Sequence, residues 1–201
     1  MIAVIDYGAG NIFSVKNALD YLGFESVLTD KKEDIENADE LILPGVGAFP
    51  SAMKMLQQSG LIETIKTESK KKPFLGICLG MQLIFEKGYE FEECDGLGLI
   101  SGSVRKMEEK DLIIPHMGWN KLEVLNDCPL LAGLDDNSYV YFVHSYMAEC
   151  DDKNIAAYSV YGSRVPALVF DGNTVYGAQF HPEKSGDTGL QILKNFGGLV
   201  K

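Results

Sequence analysis

The sequence predicts an α/β fold in which an open, mostly parallel sheet carries helices on both faces and continues into an antiparallel extension. Up to Cys78, short apolar runs alternate with segments whose apolar residues recur at helical spacing, an order that builds a parallel sheet covered on both sides. From Gly102 onward the pattern changes to short strands of alternating character joined by Gly, Asn and Asp, the signature of antiparallel pairing. At 201 residues and 46% hydrophobic, the chain can fill one substantial core but is short for two. With no internal repeat, low-complexity tract or linker to divide it, residues 1–201 are read as one domain.

Ile2 to Asp6 reads as a buried strand. Ile12, Val15, Ala18, Leu19 and Leu22 then share one helical face, opened by Asn11 and stopped by Gly23. Phe24 to Leu28, Glu40 to Leu43 and Pro73 to Cys78 are the next strands, separated by helical patterns near Pro50 to Gln58 and Leu61 to Lys71. Lys70-Lys71-Lys72 is placed at the carboxyl end of the second of these helices, where positive charge offsets the dipole. Gly102 to Met107, Lys121 to Val124, Tyr139 to His144 and Ala156 to Tyr161 form the antiparallel section. Val175 to Phe180 returns as a strand, and Gly189 to Phe196 closes the chain as a helix with Leu190, Leu193 and Phe196 inward.

The net charge of -11 and a pI near 4.7 exclude a nucleic-acid backbone as partner, because such binding needs clustered Lys and Arg. Cysteines 78, 94, 128 and 150 form no C-x-x-C pair, and MIAVIDYGAG is not a secretory leader, so a reduced cytosolic protein is expected. No apolar run approaches the roughly 20 residues that span a bilayer. Gly8-Ala-Gly10 starts like a dinucleotide fingerprint, but Phe13 stands where the third glycine belongs, and the segment reads as a tight turn.

The chemistry centres on Gly76-Ile-Cys78-Leu-Gly80, a thiol form of the nucleophile elbow at a strand-to-helix corner. A sulfur at a helix amino terminus meets exposed N–H groups that favour thiolate, although a lone cysteine is equally a small core residue. His181-Pro-Glu183 changes the balance. Residues two apart on an extended segment face the same side, so the carboxylate can orient the imidazole and leave its second nitrogen to exchange a proton with sulfur. Pro44-Gly-Val-Gly47 follows a strand and fits either a turn or a loop whose N–H groups approach a ligand. His116, His144 and the other cysteines show no metal-ligand spacing and read as strand and loop residues; no metal or organic cofactor is expected.

These residues resemble the class I glutamine amidotransferases, a flavodoxin-like family whose motifs are G-x-C-x-G-x-Q and a His-Pro-Glu near the carboxyl end. Further matching segments are Asp6-Tyr-Gly-Ala-Gly-Asn11, His116-Met-Gly-Trp-Asn120, Tyr141-Phe-Val-His-Ser-Tyr146 and Phe180 to Gly186, so the resemblance spans nearly the whole chain. Within the family these segments are most similar to the glutaminase subunits that serve a cyclase in histidine biosynthesis, while glutaminases of other synthases share the elbow and the His-Pro-Glu. A stand-alone thiol hydrolase and a non-catalytic binding module are the remaining alternatives.

The resemblance implies that Cys78, His181 and Glu183 are the triad that releases ammonia from L-glutamine. It implies an oxyanion hole from the Leu79 N–H and the Val46-Gly47 segment, the Val46 N–H after a backbone reorientation. It places Gln82 and Glu90 near the amino-acid end of glutamine, with Ser145 and Tyr146 in backbone contact. On residues alone Glu90 could equally be a solvated helix end. Asn11, Trp119, Tyr141 and Lys184 match positions that face the cyclase in a one-to-one heterodimer, although a lone tryptophan is as often core.

Overall fold

The computed structural model describes residues 1–108 and 112–200. In chain order the strands are β1 (Ile2–Ile5), β2 (Ser26–Thr29), β3 (Glu40–Gly45), β4 (Phe74–Cys78), β5 (Phe85–Gly88), β6 (Cys94–Asp95), β7 (Ile100–Lys106), β8 (His116–Lys121), β9 (Glu123–Val124), β10 (Tyr139–His144), β11 (Tyr146–Glu149), β12 (Ile155–Tyr161), β13 (Ser163–Phe170) and β14 (Val175–Ala178). The helices are α1 (Ile12–Tyr21), α2 (Lys32–Asn37), α3 (Phe49–Ser59), α4 (Ile62–Glu68), α5 (Leu79–Leu83) and α6 (Gly186–Phe196).

The main sheet has the order β2-β1-β3-β4-β14-β13-β12-β9. Its first five strands are parallel, and β13, β12 and β9 continue it antiparallel. The parallel part has the flavodoxin-like order, in which ligands bind beyond the carboxyl ends of the strands. Alternation along each strand divides the core between two faces. Ala3, Ile5, Leu41, Leu43 and Phe74 pack with Met53, Leu56 and Ile65 of α3 and α4. Ile2, Val4, Ile42, Leu75 and Ile77 pack with Val15, Leu19, Ile192, Leu193 and Phe196 of α1 and α6.

Local chemistry sets the helix ends. Ser14 donates to Asn11 Oδ1 at 2.8 Å at the start of α1, and Gly23, at φ +81°, lets the Phe24 N–H reach back to the Leu19 carbonyl. The turn expected at Gly8-Ala-Gly10 is present, with φ of +93° and +135° at the two glycines. Among the described residues no helix is long and apolar enough to cross a membrane.

The structure corrects the sequence reading in several places. The antiparallel section does not all extend the main sheet: β7 joins a four-stranded sheet ordered β11-β7-β5-β6, and among the described residues β10 pairs only with β8. Alternation identifies half-buried strands but not their partners, which long-range packing selects. Strand β13 goes unread because Pro166 argues against a central strand. Its partner β12 shifts register between Ile155 and Tyr158, beside Pro166, where the ladder is interrupted. Finally, α4 ends at Glu68, just before the basic run, where Lys71 and Lys72 pair with Glu68, and Lys72 also serves a second helix. Lys72 donates to the carbonyls of Ile35, Glu36 and Ala38 at the end of α2 and pairs with Glu68 at 3.0 Å. With Ile35 as its one buried residue, α2 carries too little apolar periodicity to be read from sequence.

Candidate active site

The carboxyl ends of β3, β4 and β14 lie side by side, with Gly45 in register with Cys78. Cys78 is the last residue of β4 and the residue before α5, at φ +55° and ψ −112°. A non-glycine residue there is strained by roughly 1–3 kcal/mol, a strain that collects at functional corners. The flanking glycines are needed for close approach and do not themselves have positive φ. A Cβ on Gly80 would lie 1.8 Å from the Leu43 carbonyl oxygen, and one on Gly76 would lie 2.5 Å from that of Gly80. Because α5 has only five residues, its dipole gives the sulfur less help than the sequence predicts.

The expected pairing of imidazole and carboxylate is present, but on a different backbone. His181 is extended, whereas Glu183 lies in a 3-10 turn, Pro182–Lys184, that His181 opens. The turn still brings Glu183 Oε1 to 2.8 Å from His181 Nδ1. The His181 N–H donates to the Tyr141 carbonyl, the Ser185 hydroxyl donates to the His181 carbonyl, and the Tyr141 N–H donates to that hydroxyl. β10 thereby clamps the turn. Since a carboxylate only accepts, Nδ1 carries the proton and Nε2 is the nitrogen left for exchange.

Cys78 Sγ sits 4.0 Å from the Val143 carbonyl oxygen, and it acts on the His181 imidazole through hydrogen bonding and charge. Burial alone would lower the His181 pKa, but the Cys78 sulfur and the Glu183 carboxylate together raise it to about 9. His144 behaves oppositely: burial, reinforced by His116 and His181, lowers it to about 4. These shifts predict two slopes in stability. Between about pH 6.5 and 9 the folded state holds a proton on His181 that the unfolded chain has lost, so stability falls as pH rises through that window. Between about pH 6.5 and 4 the unfolded chain binds a proton that folded His144 refuses, so His144 makes stability fall as pH is lowered, while buried Glu40, pushed up to about 7, acts in the opposite direction between about pH 7 and 4.5. Urea unfolding of the wild type from pH 6.5 to pH 9.5 checks the first sign, and the same measurement on Glu40→Gln from pH 4 to pH 7 isolates the second.

A cavity of about 410 Å³ opens over the sulfur. It is lined by Val46, Gly47, Cys78, Leu79, Gln82, Glu90, Ser145, Tyr146, His181 and Lys184, together with Pro115, Val143 and His144. Glu90 is not on a helix: its Oε2 accepts the Phe49 N–H at 2.7 Å, at the start of α3. Buried Gln82 donates from Nε2 to the Tyr146 carbonyl at 2.9 Å and to Gln179 Oε1 at 3.0 Å. Its Oε1 takes no hydrogen bond from the described residues and is left for a donor in the cavity. Gly47 is at φ +105° and Val46 is exposed, so the loop after β3 stands at the mouth.

Asn11, Trp119 and Tyr141 do not line this cavity. Asn11 borders a small void behind it, with Glu183, Gly45 and Val46. Trp119 and Tyr141 are register partners on β8 and β10, with rings 6.0 Å apart in an edge arrangement. At 54% exposed, Trp119 is a surface residue and not core. Sequence reasoning missed Gln179, which is fully buried and orients Gln82, and the role of His144 in the cavity wall. Gln179 precedes Phe180-His-Pro-Glu183, and a glutamine two residues before the histidine was the available signal.

Comparison with known proteins agrees with this geometry. The family model described as "Glutamine amidotransferase class-I" matches residues 3–198. "Imidazole glycerol phosphate synthase subunit HisH" of Bacillus cereus (strain G9842) is 54% identical over 202 residues, covering 100% of this chain and 96% of its own. The protein of the same name from Bacillus anthracis is 52% identical with the same coverage. Among solved structures, a glutamine amidotransferase has a TM-score of 0.75 at 23% identity, covering 98% of this chain and 100% of its own. PurLQS from Thermotoga maritima has a TM-score of 0.75 at 22% identity, covering 97% and 96%. At that identity the structures are alike in fold.

Proposed function

Since the chain belongs to the class I glutamine amidotransferases, we propose that it is the glutaminase subunit of an imidazole glycerol phosphate synthase, hydrolysing L-glutamine and delivering ammonia to a cyclase subunit in histidine biosynthesis. The observation that carries this reading is 54% identity along the entire chain to proteins bearing that subunit's name. The converged thiol, imidazole and carboxylate support it independently. Residues 1–201 act as one amidotransferase domain in the cytoplasm.

The Cys78 thiolate attacks the side-chain amide carbon of glutamine, forming a C–S bond and an oxyanion. The Leu79 N–H, next to the sulfur at the start of α5, is one donor to that oxygen, and the Val46-Gly47 loop supplies the other. As the C–N bond breaks, His181 Nε2 gives its proton to the leaving nitrogen, and ammonia departs from a γ-glutamyl thioester. The neutral imidazole then takes a proton from water, whose oxygen attacks the thioester and releases glutamate and thiolate. Glu183 holds Nδ1–H and steadies the imidazolium throughout. Gln82 Oε1 accepts from the α-ammonium, and Glu90 and the Ser145-Tyr146 backbone complete the amino-acid end. Asn11, Trp119, Tyr141 and Lys184 face the cyclase, where exposed Trp119, edge-on to half-buried Tyr141, suits a subunit contact.

The test is glutamate release by the purified chain, alone and with a cyclase subunit plus its nucleotide ligand. Slow hydrolysis alone and strong activation in the complex is the expected result. Full activity without a partner would identify a stand-alone hydrolase, and activation by a different synthase would reassign the pathway.

A further inference from the structure

At the cavity wall, two imidazoles touch, His144 in the lining and His116 behind it. His116 on β8 and His144 on β10 are register partners, 0% and 6% exposed, with His116 Nδ1 3.0 Å from His144 Nε2. His144 Nδ1 lies 2.9 Å from the Tyr146 carbonyl oxygen, the atom to which Gln82 Nε2 also donates at 2.9 Å. The His116 ring is stacked between Tyr161 at 4.1 Å and Phe142 at 4.6 Å, and its Nε2 is buried with no partner among the described residues.

Every bond in this chain has one allowed direction. A carbonyl oxygen only accepts, so His144 Nδ1 is protonated and its Nε2 presents a lone pair; His116 must therefore donate from Nδ1, which leaves its Nε2 bare. The reverse assignment would set a nitrogen lone pair against the Tyr146 carbonyl. Packing does not account for His116, since a phenylalanine could occupy the slot between Tyr161 and Phe142 without burying an orphaned nitrogen. What the second histidine adds is direction. Both imidazoles are held neutral by burial, as this arrangement requires.

We propose that His116 and His144 are positioning residues that fix the Tyr146 carbonyl and, through it, the Gln82 amide, so that Gln82 always turns Oε1 and never Nε2 toward the cavity. With Nε2 committed to Tyr146 and Gln179, the cavity wall offers an acceptor suited to the ammonium of an amino-acid substrate and repels a ligand that cannot donate there. This inference rests on the glutaminase reading of the site.

The test compares His144→Asn with His144→Gln in the complex with cyclase and nucleotide ligand. An asparagine amide falls near the Nδ1 position and can still donate to Tyr146, whereas a glutamine amide falls near Nε2 and cannot. For His144→Gln the KM for glutamine is expected to rise about tenfold with kcat within about twofold, the loss of one hydrogen bond to a charged group, and His144→Asn should restore most of it. Nitrogen-15 NMR of the intact wild-type chain should show Nδ1–H at both histidines and an unprotonated Nε2 at His116. Equal effects of the two variants, a change confined to kcat or to thermal stability, or an Nε2–H tautomer at His144 would overturn the proposal. A wild-type complex inactive on glutamine would overturn the functional reading and the substrate named here, while the tautomers would still uphold or overturn the hydrogen-bond lock by themselves.

Discussion

Replacing Cys78 with alanine should reduce glutamine hydrolysis in the cyclase complex by roughly 10⁴-fold or more, the scale of triad nucleophile deletions, while leaving the chain folded. No other cysteine lines the cavity, so without this sulfur only direct attack by water on the amide remains. Two companion results would show that the loss comes from chemistry and not from a damaged fold. First, φ at position 78 is +55°, a region that alanine shares with cysteine as a strained conformation and glycine does not. Cys78→Gly should therefore be more stable than Cys78→Ala by about 1 kcal/mol in urea unfolding, though equally inactive. Second, removing the sulfur takes away one of the two groups that raise the His181 pKa, which should move down from about 9 in an NMR titration. Retention of a tenth of the activity in Cys78→Ala would rule out the thioester route.

The proposed triad is legible because its chemistry depends on residue type and short spacing. A cysteine between glycines at a strand-to-helix corner, and an acid two residues past a histidine, are local statements, and both carry through. Strand alternation predicts the second contact, whereas a 3-10 turn makes it; similar local geometry arises from two backbones. The parallel half of the sheet is legible for the same reason, since alternating strand and helix patterns leave few topologies. What stays hidden depends on pairing across long separations. His116 and His144 become one unit only through β8–β10 register, and Gln179 reaches Gln82 across 97 positions of sequence. Lys72 reads as the end of its own helix because sequence cannot show that α2 ends beside it.

Gly80→Ala should be the most damaging small substitution in the chain, costing about 3–5 kcal/mol of stability or preventing folding, on the scale of severe overpacking. The added methyl would lie 1.8 Å from the Leu43 carbonyl oxygen and 2.9 Å from its carbon. The obstacle is backbone in the interior strand β3, so no rotamer change relieves it, and either α5 or β3 has to move. Gly47→Ala is the control, because a Cβ there meets nothing within 4 Å and only its φ of +105° is unfavourable, a strain of about 1–2 kcal/mol. Any Gly80→Ala protein that folds should also lose at least about 100-fold in kcat with the cyclase present, because α5 carries both Gln82 and Leu79, whose N–H is the proposed oxyanion donor. The tight crossing of β3, β4 and α5 is thus one constraint with two outcomes: it closes the core, and it sets where the donors stand relative to the sulfur. If Gly80→Ala unfolded at the wild-type urea midpoint with normal turnover, neither outcome would depend on that contact, and the elbow glycine would owe its place to something other than close approach.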